Sequence, residues 1–384
     1  MSRGDGMKFA PAVWFASTLG VAWPLVGNEP FSIVSAIIDD EALSRAHDVE
    51  LAGDLAFVPG KGQSLAIVDV GDPEEPEILW YFNDAYIPDA ETVLPVGDFL
   101  ILGTRDFLTL DVSDPEQPRI LKRIQDSPRI DRINGMVKVG DTVFTANKSG
   151  YVSAFEVGDP KDPAYLGSLE TKERFGLRLP HDIDRYGDYL VVVDPAKFVP
   201  PVGRLGVIKA VRDGSNLPVD DWALVGEVSD AQLIGANRVQ MYRNFAVVCG
   251  SYSPEGRRLA SEAAGKPITA MVSIVDLADP TKPTVVASQA FPDDRGPNGL
   301  MIAGEVAFCA GGQTIAAYDL RNPLEPKLLG ATRFPKYKID AERTDNYHDL
   351  VYREGLLYVS AQSDNGFLIV RIEDALIRDL AESN

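Results

Sequence analysis

Five segments of this chain repeat one pattern, and a unit too small to bury a core of its own must be stacked on its neighbours. LAIVDVGDPEEPEIL begins at Leu65, LTLDVSDPEQPRIL at Leu108, VSAFEVGDPKDPAYLG at Val152, VSIVDLADPTKPTVV at Val272 and IAAYDLRNPLEPKLLG at Ile315. Each is an apolar strand, a turn of the type Asp-Pro-x-x-Pro or Asn-Pro-x-x-Pro, and a second strand. Proline presets the turn dihedral, and the Asp or Asn before it favours turn initiation.

Upstream of each copy lies a pair of strands joined by a tight turn. VELAGDLAFVP, VLPVGDFLILG, MVKVGDTVFTA, DIDRYGDYLVVV, VQMYRNFAVVC, LMIAGEVAFCA and LVYREGLLYVS make seven hairpins, most with a glycine in the turn to supply a positive φ. Four strands per unit describe the blade of a β-propeller, so the expected fold is all-β, with seven four-stranded blades. In blade four the second turn is degenerate, from Asp213-Gly214 to Pro218. Blade seven has three strands, ending at Phe367–Ile372. The missing outer strand is expected from the N-terminus, because Glu29–Val34 reads like Glu325–Gly330. Residues Pro30–Ile37 would then pair with Phe367–Ile372, closing the ring and removing both sheet edges.

With its Val-Asp strand ends and Asp-Pro-x-x-Pro turns, the repeat closely resembles the LVIVD-repeat family of β-propellers over residues 29–372. The resemblance implies a bacterial and often exported propeller. It implies no activity, since fold does not carry function.

A formal charge of −20 argues against a nucleic-acid partner, which would need clustered Lys and Arg. Two cysteines, Cys249 in FAVVCG and Cys309 in VAFCAG, sit at what read as matching places in two apolar strands. They are expected to be buried and reduced, and there is no Cys-x-x-Cys metal motif. Residues 1–28 stand apart from the propeller of 29–384. Arg3 and Lys8 precede an apolar run from Phe9 to Val26, which resembles a secretory signal peptide and favours a periplasmic or secreted protein. A folded N-terminal arm on a cytoplasmic protein is the alternative. No second apolar stretch is long enough to span a membrane.

All three histidines, His47, His181 and His348, fall at the start of a blade's first strand, and Asp48, Asp182 and Asp349 follow them. Aligning the blades sets Ala90-Glu91, Asn134-Gly135, Asn237-Arg238 and Asn298-Gly299 at the same place. First strands line the channel, so these residues are expected to ring one of its mouths. The aspartates would serve there as hydrogen-bond acceptors for backbone or as partners in catalysis. Imidazole titrates near neutrality and suits general acid–base work. A divalent metal held by His47, His181 and His348 is the second functional reading, and satisfied structural histidines are the third.

The loops between second and third strands should overhang the same mouth, and those of blades four and five, at 194–205 and 250–270, are long enough to act as lids. Such loops carry Arg105, Lys148, Lys197 and Lys266, among other cations, so the mouth should draw an anion. A carboxylate-bearing organic molecule fits, held by Arg105, Lys148 and Arg238, with Glu91, Asn134, Asn237 and Asn298 completing the lining. The sequence contains no nucleotide motif, nucleophile elbow or thiol motif. A lyase or isomerase with no obligatory cofactor is therefore the leading expectation. A propeller that only binds another protein is the rival.

Overall fold

A computed structural model describes residues 29–195, 203–250, 257–259, 261, 262, 265, 267, 271–335 and 347–383. Seven four-stranded antiparallel sheets follow one another along the chain, each running from an inner to an outer strand. Blade one comprises Glu50–Ala52, Leu55–Gly60, Ser64–Asp69 and Glu77–Asn83. Blades two to six repeat this order from Thr92 to Arg333. Blade seven takes three strands from Tyr347 to Ile372 and its fourth from Phe31–Ile38. That closing strand runs antiparallel to the last, from Phe31 opposite Ile372 to Ile38 opposite Gly366. The ring closes as the sequence implied.

The second strands show why the blades stack. Their side chains alternate between two faces, and both faces are buried. In blade one Ala56 packs toward blade seven and Phe57 toward blade two. In blade two Leu100 packs toward blade one and Ile101 toward blade three. The same alternation continues around the ring, so each pair of neighbouring blades shares its own apolar layer. The core is thus a circle of seven layers with no single centre. Hence these strands read as continuous apolar runs.

The turns behave as their composition suggests. In the Asp-Pro-x-x-Pro turns Asp72 accepts from the Glu74 N–H at 2.9 Å, and Asp279 accepts from Thr281 at 3.0 Å. The first hairpin of blade two turns at Gly97 with φ 58°, and in blade five Arg243 holds the same conformation. Blade four's degenerate turn is a small hairpin, Val211–Arg212 with Ser215–Asn216, followed by the buried Trp222. A C-terminal helix, Ala375–Ala381, was not anticipated. Asp374 caps it by accepting from the Ile377 N–H, and Ile377, Leu380 and Ala381 extend the layer between blades six and seven. Among the described residues no helix is long and apolar enough to cross a membrane.

Candidate functional site

The first strands enter the ring at one mouth of the channel, and the backbone fixes which residue of each blade stands there. The N–H of His47 donates to the Pro59 carbonyl, that of Glu91 to Gly103, that of His181 to Val193 and that of Asn298 to Ala310. These acceptors occupy one position of the second strand, so their donors are equivalent. Asp182 opposite Val193, Arg238 opposite Cys249 and Asp349 opposite Ser360 extend the match. The ring is therefore His47, Glu91, Asn134, His181, Asn237, Asn298 and His348. This corrects the alignment of blade two by one residue, since Glu91 rather than Ala90 takes the histidine position.

Side chains at this position tie blade seven to one, one to two, and three through six in succession. His348 Nδ1 donates to the His47 carbonyl at 2.8 Å, and His47 Nδ1 to the Glu91 carbonyl at 2.7 Å. Asn134 Nδ2 donates to the His181 carbonyl at 2.8 Å, and His181 Nδ1 to the Asn237 carbonyl at 2.9 Å. Asn237 Nδ2 continues to Asn298 Oδ1 at 2.8 Å. A carbonyl only accepts, so in His47 and His348 Nδ1 carries the proton, while His181 Nδ1 also lies 2.9 Å from the Asn134 amide nitrogen. The next position bridges the same seams: Asp48 accepts from the Val93 N–H at 3.0 Å and Asp182 from Val239 at 2.9 Å. Where blades approach most closely the residue is glycine. A Cβ on Gly299 would lie 2.8 Å from the Asp349 Cα.

Below this belt Arg238 reaches across the channel from blade five. Its guanidinium lies 2.8 Å from Asp349 Oδ2, 3.8 Å from Asp48 Oδ1 and 3.4 Å from the Asn134 carbonyl. Burial opposes its charge, but Asp349, Asp182 and Asp48 together hold it protonated. The carboxyls outnumber it. Burial pushes Asp182 up to about 7 against the pull of Arg238, and burial with the neighbouring Asp48 pushes Glu50 up to about 8. Burial also drives Asp349 upward against Arg238.

At the belt itself a second cluster forms between blades one, two, three and seven. The His47 and His348 rings lie 3.7 Å apart, and both are buried. Burial depresses both imidazoles well below their ordinary value, and Lys61, Lys148 and Arg238 depress them further, so they are neutral near pH 7. Glu91 accepts from Lys148, with Lys61 Nζ 3.5 Å away. Burial works against its ionisation, but the two ammonium groups hold the carboxyl below its usual value. His47 Nε2 is buried, has no hydrogen-bond partner and lies 3.9 Å from Glu91 Oε2. Because Nδ1 holds the proton, that nitrogen presents a lone pair beside two lysines.

Of the expected site residues, the ring and its following position hold all but Lys148, which reaches the belt through Glu91, and Arg105. Arg105 points outward, its Nε and Nη2 on Asp89 at 3.0 Å, and its side chain is 56 % exposed. Lys61, Arg105 and Lys148 share one loop position in consecutive blades, and their N–H groups reach back to the Arg45, Pro88 and Arg132 carbonyls respectively. Asp89 is what turns the middle one away. Glu50 belongs to the site and was not expected there, whereas Lys61, expected as one of the loop cations around the mouth, lies 3.5 Å from Glu91. Their signal was positional, in Lys61 matching Lys148 and in Glu50 following Asp48 by two residues on a channel strand. Among the described residues no three His, Cys, Asp or Glu side chains converge as metal ligands. The lysines Lys197 and Lys266, the leader 1–28 and most of the two long loops lie outside the described residues.

The family model for the LVIVD repeat matches residues 44–83, which hold the belt's His47 and all of blade one. No curated protein matches the sequence. Among solved structures the chain is similar to the computationally designed Ika8 protein, with 10% identity and a TM-score of 0.53 over 87% of this chain and 98% of that one. That likeness is one of fold alone. The chain is a seven-bladed β-propeller that carries an LVIVD repeat at residues 44–83.

Proposed function

We propose that this propeller is an enzyme that binds a small organic carboxylate at the belt end of its channel and moves a proton on it. The observation that carries the reading is the buried, partnerless His47 Nε2. A buried nitrogen of this kind is completed by an ordered water or by a ligand. A carboxylate drawn to Lys61 and Lys148 would set its hydroxyl or its acidic C–H against this lone pair, and Glu91 would hold the lysines in place. Proton abstraction next to a carboxylate is the first step of many lyases and isomerases, and it asks for no cofactor.

One observation favours a second reading, a propeller without catalysis. Each imidazole's Nδ1 contacts a carbonyl of the next blade, and asparagine fills the same place in three other blades. The histidines would then be structural ties.

Calorimetric titration with oxalate, malonate, succinate and malate separates the two, joined to proton exchange of each probe's C–H groups in deuterated water. The enzyme reading expects at least one probe to bind, with affinity falling tenfold or more in Lys148→Met and Lys61→Met, and to exchange its α-proton. Binding without exchange supports a carboxylate-binding propeller. If none of the probes binds, the mouth is not a carboxylate site.

A further inference from the structure

Cys249 and Cys309 look equivalent in sequence, but the strand register offsets them by one residue. Cys249 lies opposite Arg238 of its own blade, at the position that Ala310 holds in blade six, whereas Cys309 lies opposite Leu300. An offset of one reverses the face of a strand. Cys249 therefore points from blade five toward blade six, and Cys309 points back. Both belong to the layer shared by those blades, with Val247, Ala307 and Tyr318 around them. Their sulfurs lie 3.3 Å apart, both side chains are fully buried and both are free thiols.

We infer that Cys249 and Cys309 are a disulfide-forming pair that covalently staples blade five to blade six when the chain meets a disulfide oxidant. The contact is closer than two thiols need for packing, and sulfurs need to close little more than an ångström to reach the 2.03–2.05 Å of a bond. With glutathione disulfide as oxidant the chemistry balances. One cysteine, as thiolate, attacks a glutathione sulfur and releases a first glutathione thiolate. The second cysteine's thiolate then attacks the protein sulfur of the mixed disulfide and releases the other. The protein loses two electrons and two protons, and one glutathione disulfide becomes two glutathiones. Burial pushes the Cys249 thiol well up, so exchange is slow in the closed ring and proceeds when the seam opens or during folding.

The bond would close a loop of 60 residues. Cross-links of this length restrict the unfolded chain strongly. The test is to refold the full chain in glutathione disulfide, and separately to incubate it folded. Free thiols are then alkylated under denaturing conditions and the intact mass is read. The refolded chain is expected to take up no alkylating agent, to be about 2 Da lighter than the reduced chain, and to yield a single peptide pair joining Cys249 to Cys309. Its Tm should rise by about 5 °C, a rise that Cys309→Ser and Cys309→Ala both abolish. Two alkylated thiols after refolding, a stable glutathione adduct on either cysteine, or a dimer linked through one of them would overturn the inference. The mass readout uses the unaltered chain, so it decides the matter even if both variants fail to fold.

Discussion

At position 47 a single imidazole has two jobs that can be separated. Its Nδ1 ties blade one to the Glu91 carbonyl, and its Nε2 lies 3.9 Å from Glu91 Oε2, the carboxylate that holds the lysines. Asparagine makes the first contact in blade three, where Asn134 Nδ2 reaches the His181 carbonyl, but it has no ring nitrogen to offer the second. Replacing His47 with Ala should cost about 1–3 kcal/mol in urea unfolding, because a buried carbonyl loses its donor. His47→Asn should cost less than about 1 kcal/mol while lowering any α-proton exchange by about 10²–10⁴-fold. A His47→Asn protein as unstable as the alanine variant would show that the belt equivalence is wrong. The pH response follows from the same groups. His47 and His348 are depressed in the fold, so their contribution is complete above about pH 6.5 and is lost as pH falls below it. Asp182 and Glu50 are raised to about 7 and about 8, so theirs is present at low pH and is lost as pH rises through those values. Above pH 6.5 the raised carboxyls titrate, joined near pH 9 by the buried Cys249 thiol, and stability should fall over that range. Asp182→Asn keeps an acceptor for the Val239 N–H and should flatten that fall, as urea midpoints at each pH would record.

Among the elements, the closing strand carries the most consequence for its length. Phe31–Ile38 pairs along the whole of Gly366–Ile372, and Phe31 is buried in the layer between blades six and seven. Removing residues 29–38 leaves an open edge and strips that layer. The expected result is loss of the cooperative thermal transition, and a truncated chain that melts like the full one would contradict the closure. This strand was legible in the sequence because its Glu-Pro start repeats that of a visible outer strand. So were the blades, since Pro turns and apolar second strands are dictated by local chemistry and by two-sided burial. What escaped was whatever depends on a single residue of register or on a neighbour's charge. Glu91-Thr92 has neither an amide or imidazole nor an Asp or Gly to mark its place, so blade two was misaligned by one. The two cysteines differ by the same kind of one-residue offset, which their similar flanking residues conceal. Arg105 shares its loop position with two inward lysines and is turned out by Asp89, which no repeat pattern encodes. The helix Ala375–Ala381 falls beyond the last repeat and is short enough that its Asp374 cap was its only clear signal.

For the molecule as a whole, the ring concentrates its buried polar chemistry on the channel axis. Seven apolar layers fill the space between blades, so polar side chains that must be buried collect where the first strands converge. There they divide into an upper group, with Lys61, Lys148, Glu91 and two neutral imidazoles, and a lower one in which Arg238 is embraced by carboxyls. Three cations, Lys61, Lys148 and Arg238, are thus held on the axis among these carboxyls. Because the chain has only three histidines, their ring nitrogens can be read individually by two-bond proton–nitrogen NMR correlation on the labelled protein. His47 and His348 should show a protonated Nδ1 and a bare Nε2, and be neutral at pH 7. Adding the tightest-binding carboxylate should shift His47 Nε2 and leave His181, tied between blades three and five, in place. A proton on His47 Nε2 in the free protein, or a bound carboxylate that leaves that nitrogen unmoved, would contradict the site described.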